Sequence, residues 1–140
     1  MSLRMEQSAR SAEKISEMLE KHPVVQKVHY PGLPSHPGHE VHKRQATSGG
    51  AVLSFELANQ EAVYTFADAL QLPIAAVSLG GVESILSYPI TMSHACVPKE
   101  ERDKQGVTEG LLRLSVGIED TEDLIEDLEQ ALTKVRLTVK

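Results

Sequence analysis

The sequence is poor in cysteine, in basic residues and in long apolar runs. Cys96 is the only cysteine among the 140 residues, so a disulfide within the chain is excluded and a reducing, cytoplasmic setting is expected. No apolar run approaches the roughly 20 residues that a transmembrane helix needs. Lysine and arginine number 14 against 20 acidic residues, and the net charge of -6 argues against a nucleic-acid platform and favours small-molecule or protein partners.

What the chain does have is clear hydrophobic periodicity. Apolar residues at helical spacing predict three main helices, over residues 5–21, 60–70 and 121–135, and Asn59 and Asp120 are suited to cap the second and third. Strands are predicted over residues 25–30, 51–57, 74–77 and 111–116, the third of them short and buried. A short helix is predicted over 82–87 and a charged helical turn over 98–104, and the loop at 31–50 has room for one short helix.

These elements predict one domain, residues 1–140, of the α+β class. No helical crossover precedes the second strand, so the four-stranded sheet should be largely antiparallel. The helices should cover one of its faces in a two-layer arrangement.

Two histidine-containing segments are weak candidates for chemistry. His36, His39 and His42 stand three apart, which is the spacing of one helix face, but a Pro-Gly pair interrupts the helix and a solvated loop is favoured over a metal site. His94 and Cys96 lack an orienting third group, so a packing or loop role is favoured over a nucleophile with its base.

The turn Ser78-Leu79-Gly80-Gly81 follows a predicted strand and leads into the predicted short helix. Such a turn can present backbone N–H groups to an anion, or it can be a plain tight turn, and both interpretations remain open. It has neither the G-x-G-x-x-G pattern nor the P-loop lysine, so nucleotide binding is not expected.

Arg113 lies inside an otherwise apolar strand, Leu111-Leu112-Arg113-Leu114-Ser115-Val116. Burying a guanidinium is costly unless an anion pairs with it, and its planar fork suits a carboxylate. Three possibilities remain open from the residues alone: a ligand carboxylate, an edge strand with Arg113 facing water, or an internal salt bridge.

The eight lysines all stand among polar neighbours or near element ends: Lys14, Lys21, Lys27, Lys43, Lys99, Lys104, Lys134 and Lys140. A lysine that binds a carbonyl cofactor covalently needs a desolvated pocket that lowers its pKa. None of the eight stands in such a sequence context.

Several motifs together resemble the Cys/Met-metabolism family of pyridoxal-phosphate (PLP) enzymes. They are Tyr30-Pro31-Gly32-Leu33, Val77-Ser78-Leu79-Gly80-Gly81-Val82-Glu83-Ser84, Met92-Ser93-His94-Ala95 and Gly110-Leu111-Leu112-Arg113-Leu114-Ser115-Val116-Gly117-Ile118-Glu119-Asp120. The resemblance implies that Arg113 binds the substrate carboxylate and that Ser78 lies beside it. It also implies that Ser93 supplies a hydroxyl where threonine is usual, and that Val77 tunes substrate choice.

The resemblance further implies the C-terminal, small domain of a larger PLP-dependent carbon-sulfur lyase of transsulfuration and methionine biosynthesis. The PLP-binding lysine, the phosphate-binding glycines and the ring-stacking tyrosine of the family belong to a large domain absent from this sequence, so the chain alone is expected to be inactive. Val77 stands where several γ-lyases have glutamate, which favours cystathionine β-lyase over cystathionine γ-synthase, cystathionine γ-lyase or methionine γ-lyase. The full-length enzyme would be a tetramer. The alternative from another class is a stand-alone amino-acid-binding or regulatory module without catalysis.

Overall fold

The computed structural model describes residues 1–138, which form five α-helices and one five-stranded sheet. The helices are α1 (Ser2–Lys21), α2 (His39–Gln45), α3 (Gln60–Ala69), α4 (Lys99–Lys104) and α5 (Thr121–Thr138). The strands are β1 (Lys27–His29), β2 (Val52–Glu56), β3 (Ile74–Ala75), β4 (Ile85–Ser87) and β5 (Leu111–Ser115). A single turn of 3-10 helix follows β4 at Pro89–Thr91. The three main helices and the charged helical turn are confirmed.

Both predicted helix caps are confirmed. The side-chain oxygen of Asn59 accepts a hydrogen bond from the Ala62 N–H at 2.9 Å, at the start of α3. The Asp120 carboxylate accepts one from the Glu122 N–H at 2.9 Å, at the start of α5. These side chains satisfy backbone donors that a helix start leaves without partners inside the helix.

The sheet differs from the predicted one in strand count and direction. Its order is β1-β2-β5-β4-β3; the first three neighbouring pairs are antiparallel and β4 pairs with β3 in parallel. The expectation of four largely antiparallel strands was therefore wrong, and the sheet is mixed. The extra strand is β4, where a short helix had been predicted over 82–87. All three residues of β4 are buried, and so short a buried strand has no alternation by which it could be recognised.

The third strand is also more exposed than expected. Ile74 is 54% exposed and Val77 is 73% exposed, although a buried strand was predicted over 74–77. The reason is its place in the sheet, because β3 is an edge strand with only β4 beside it. The chain then continues as an irregular turn, and no helix follows the Ser78-Leu79-Gly80-Gly81 segment before β4 begins.

Alternation along β2 and β5 separates the two faces of the sheet. Leu53 lies opposite Leu114 and Phe55 lies opposite Leu112, and all four side chains are 1% exposed or less. They share one core with buried residues of α1, α3 and α5, which form the second layer. The α+β class is therefore confirmed, and Arg113 lies on the face that the core does not use.

Within residues 1–138, no helix is both long enough and apolar enough to cross a membrane.

Candidate functional site

Arg113 occupies the central strand of the sheet. Across the two neighbouring strands it lies opposite Ser54 of β2 and Ser87 of β4, so it is not on an edge. None of the three ion pairs found among residues 1–138 involves Arg113. The sequence left open an edge-strand position or an internal salt bridge for Arg113, and neither is found in the described structure.

The guanidinium of Arg113 is held by two neutral oxygens. Its Nη2 donates to the backbone carbonyl of Ser78 at 3.1 Å and to the hydroxyl of Ser87 at 2.9 Å. Its Nε is buried and has no hydrogen-bond partner among the described residues. Within residues 1–138 no hydrogen bond uses Nη1. A partly buried cation with spare donors and no carboxylate of its own is suited to bind an anion, and a planar carboxylate matches its geometry.

The turn that begins at Ser78 is tied to the sheet. The Gly80 N–H donates to the hydroxyl of Ser115 on β5 at 2.9 Å, and Gly80 has a φ of +78°, which favours glycine. At the end of the turn, the Ser84 hydroxyl donates to the Glu119 carboxylate at 2.9 Å and accepts from the Gly117 N–H at 2.9 Å. The Gly80 N–H is thus already paired, while the Ser78 side chain remains exposed beside Arg113.

The close approach of two backbone segments explains why residue 117 is a glycine. A Cβ at Gly117 would lie 2.3 Å from the Val82 carbonyl oxygen. The residue after it, Ile118, donates its N–H to that same oxygen at 2.8 Å. The segment after β5 therefore supports the turn from one side, and a larger residue at position 117 would push the two apart.

The structure brings together two of the four predicted site residues. Ser78 and Arg113 are joined by the hydrogen bond described above, and Val77 immediately precedes Ser78 with its side chain 73% exposed. Ser93 is exposed, and its hydroxyl pairs with His94 Nδ1 at 2.8 Å. No hydrogen bond among the described residues links Ser93 to Arg113 or Ser78. The functional roles of all four stay predictions.

Tyr88 anchors β4 immediately after Ser87. Its ring is buried against that of Tyr64, with the centroids 5.9 Å apart in an edge-on arrangement. Its hydroxyl donates to the Glu109 carbonyl at 2.7 Å. Burial raises the pKa of Tyr88 to about 12, with Tyr64 and Glu109 adding to the effect. Tyr88 is therefore a neutral structural phenol and not a general base.

The three spaced histidines bond backbone atoms instead of a metal; His36 lies in a loop, as favoured, whereas His39 and His42 lie on α2. Each of the three rings bonds a backbone atom at 2.7 to 3.0 Å: His36 with Gly38 N, His39 with Pro31 O, and His42 with Ser48 O. No cluster of three or more potential metal ligands exists in the part of the chain that the structure describes. Cys96 is exposed and free, and within those same residues no hydrogen bond joins it to His94.

Every lysine within residues 1–138 is exposed to solvent. Lys14 and Lys99 form surface ion pairs with their side chains 54% and 64% exposed. The five others within residues 1–138 are exposed as well, and Lys140 lies outside the described residues. A carbonyl cofactor needs a desolvated amine, so these lysines do not fit one. The described residues suit a carboxylate ligand and not covalent attachment of a cofactor.

Two serines of the site were not predicted from the sequence. Ser87 lay within the predicted short helix, and Ser115 looked like an ordinary strand residue. Their contacts with Arg113 and Gly80 depend on strand pairing and on the path of the turn, for which the local sequence gives no signal.

The fold and the site together define an α+β domain that presents an arginine, without a carboxylate partner among the described residues, from the centre of its sheet beside a serine-glycine turn. The chain belongs to the family of Cys/Met metabolism PLP-dependent enzymes, whose model matches residues 1–133. The family is PLP-dependent, so the expected cofactor is confirmed at the level of the family.

Named relatives agree with this assignment. The chain is 56% identical to cystathionine beta-lyase MetC of Bacillus subtilis over 135 residues, which cover 96% of this chain and 35% of that protein. It is 48% identical to cystathionine gamma-lyase of the same organism, over 96% of this chain and 36% of that protein. A crystal structure of cystathionine gamma synthase from Xanthomonas oryzae pv. oryzae, in complex with cystathionine, superposes with a TM-score of 0.94 at 43% identity, covering 99% of this chain and 36% of that one.

The chain spans about a third of the length of these relatives. Membership of the family is thus shown, whereas the particular reaction and the assembly of a whole enzyme are matters for proposal.

Proposed function

We propose that residues 1–140 are the C-terminal, substrate-binding domain of a PLP-dependent carbon-sulfur lyase of transsulfuration and methionine metabolism, acting as a cystathionine β-lyase. The observation that carries the proposal is Arg113, a partly buried cation on the central strand that has spare donors and no carboxylate partner within residues 1–138. The C-terminal placement rests on the motif resemblance and is part of the proposal.

In this proposal the chain positions one end of an amino-acid substrate. Arg113 binds the α-carboxylate, and Ser78 lies at the same place because its carbonyl accepts from Arg113 Nη2. Both hydrogens of Nη2 are already donated, so a carboxylate either uses the donors left on Nη1 and Nε or displaces the Ser78 carbonyl. Fixing the carboxylate restricts rotation of the substrate, which lowers the entropy cost of reaching the reactive geometry.

Ser93 and Val77 complete the proposed substrate site. Val77 precedes Ser78 and exposes an apolar side chain, which suits an uncharged part of the substrate. Ser93 offers a hydroxyl that now pairs with His94. Cystathionine is the proposed substrate, because a solved relative with 43% identity was crystallised with it.

The β-lyase activity is favoured over three related ones. Identity to the Bacillus subtilis β-lyase is 56%, against 48% to the γ-lyase of the same organism. Val77 also favours a β-lyase, because several γ-lyases of the family have glutamate at this position. Cystathionine γ-synthase, cystathionine γ-lyase and methionine γ-lyase remain the alternatives.

The cofactor is proposed to be held by a part of the enzyme outside this chain, because the described lysines do not fit it. The chain alone is accordingly expected to show no lyase activity. A homotetrameric full-length enzyme in the cytoplasm is also proposed, by the same resemblance.

The decisive experiment supplies cystathionine to the full-length PLP-loaded protein and identifies the thiol product. A β-lyase releases homocysteine, whereas a γ-lyase releases cysteine. Residues 1–140 alone, assayed with added PLP, serve as the control and should release neither. An amino-acid-binding module without catalysis would give no thiol from either protein, and that result would overturn the proposed function.

A further inference from the structure

Ser87 stands directly beside Arg113 in the sheet. The two residues are opposite each other on the antiparallel strands β4 and β5, so their side chains share one face. Ser87 is only 5% exposed, and its hydroxyl accepts from Arg113 Nη2 at 2.9 Å. On the other side of Arg113, Ser54 of β2 occupies the equivalent register position, yet no hydrogen bond within residues 1–138 joins its side chain to Arg113.

The Ser87 hydroxyl can act only as an acceptor toward Arg113. Its single proton is donated to the Ala76 carbonyl at 2.6 Å. Ala76 lies two residues before Ser78, whose carbonyl is the second acceptor for Arg113 Nη2. The contacts therefore close a ring that runs from Arg113 through Ser87 and Ala76 to Ser78 and back. A ring of this kind fixes both the guanidinium and the start of the turn.

We propose that Ser87 is a positioning residue, which sets the orientation in which Arg113 offers its remaining donors to a substrate carboxylate. This inference rests on the proposed carboxylate-binding role of Arg113. Without the Ser87 hydroxyl, Nη2 keeps only the exposed Ser78 carbonyl, and the guanidinium can rotate with the turn. A carboxylate would then meet a donor that has to be ordered on binding, which weakens affinity.

The test measures binding of two probes to the full-length PLP-loaded protein by titration calorimetry. L-Alanine carries the carboxylate and L-alaninamide does not, so the ratio of their affinities isolates the carboxylate contact. Losing one hydrogen bond to a charged group predicts that Ser87→Ala lowers this ratio about tenfold relative to wild type. The matched control Ser54→Ala should leave the ratio within about twofold, because its hydroxyl makes no such bond. Ser87→Thr keeps the hydroxyl and should restore most of the ratio.

Melting temperatures separate positioning from mere structural support. A structural role would lower stability and weaken both probes alike, leaving the ratio unchanged, and that outcome would overturn the inference. If Ser87→Ala does not fold, Ser87→Cys provides the comparison, since a thiol of similar size accepts weakly; a wild-type ratio in that variant would also overturn it. Failure of wild type to prefer L-alanine, or to cleave cystathionine, would count against the proposed function instead.

Discussion

Replacement of Arg113 in the full-length enzyme is the most direct perturbation of the site. Arg113→Ala removes the donors left for a substrate carboxylate and also frees the Ser78 carbonyl and the Ser87 hydroxyl. We expect a severe loss of kcat/KM. The cofactor should stay bound, because the proposal places its attachment outside this chain.

The size of the loss follows from the contacts. Two hydrogen bonds to a charged carboxylate are worth roughly 1.5–3 kcal/mol each, so at least about 3 kcal/mol of binding is removed. That figure corresponds to a fall in kcat/KM of about 150-fold or more, since about 1.4 kcal/mol is a factor of ten. Arg113→Lys should fall between, losing roughly 10- to 100-fold, because one ammonium cannot reproduce the planar fork of the guanidinium.

Steady-state kinetics on cystathionine give kcat/KM, and the absorption band of the bound cofactor checks that it remains in place. Arg136→Ala is the matched control, because Arg136 is exposed on α5, in the helical layer. Its kcat/KM should stay near wild type. If Arg113→Ala kept kcat/KM within about fivefold of wild type, the loss would be smaller than that of a single charged hydrogen bond, and the carboxylate role would be refuted.

Three further predictions concern stability, measured on the same full-length protein by denaturant unfolding. Asn59→Ala removes the cap of α3 and should cost about 1 kcal/mol, whereas Asn59→Ser should cost much less. Gly110→Ala should cost about 3 kcal/mol or more, because the new Cβ would lie 1.9 Å from the Leu57 carbonyl oxygen; an unchanged midpoint would mean that the backbone shifts freely. Burial raises the pKa of Tyr30 to about 12, so the neutral phenol stabilises the fold below pH 10 and this contribution is lost as pH rises toward 12. The free energy of unfolding should therefore fall less steeply between about pH 10 and 12 in Tyr30→Phe than in wild type. An equal fall in both proteins would contradict a raised pKa at Tyr30.

Much of the fold could be predicted because its longer elements carry strong patterns. The buried stripes of α1, α3 and α5 and the alternation of β2 and β5 are visible in the residues themselves. Strand β4 could not be predicted in this way. Its three buried residues show no period, and only pairing with β3 and β5 makes them extended.

The candidate site could likewise be predicted only in part. Arg113 could be singled out because a cation in an apolar strand conflicts with its surroundings, and such conflicts often mark functional positions. Ser87 gave no comparable signal, since serine is tolerated almost anywhere. Its importance arises from register, which places it beside Arg113 and within reach of Ala76.

The central position of β5 has a consequence for local opening of the domain. The backbone around Arg113 is bonded on both sides, so its amides should exchange with deuterated solvent only when the whole sheet opens. The Ser78 turn extends from an edge strand and exposes its apolar side chains, so its amides, apart from the Gly80 N–H bonded to Ser115, should exchange through small local fluctuations. The guanidinium of Arg113 thus joins two regions of different protection, a central strand that exchanges slowly and a turn whose exposed part exchanges fast.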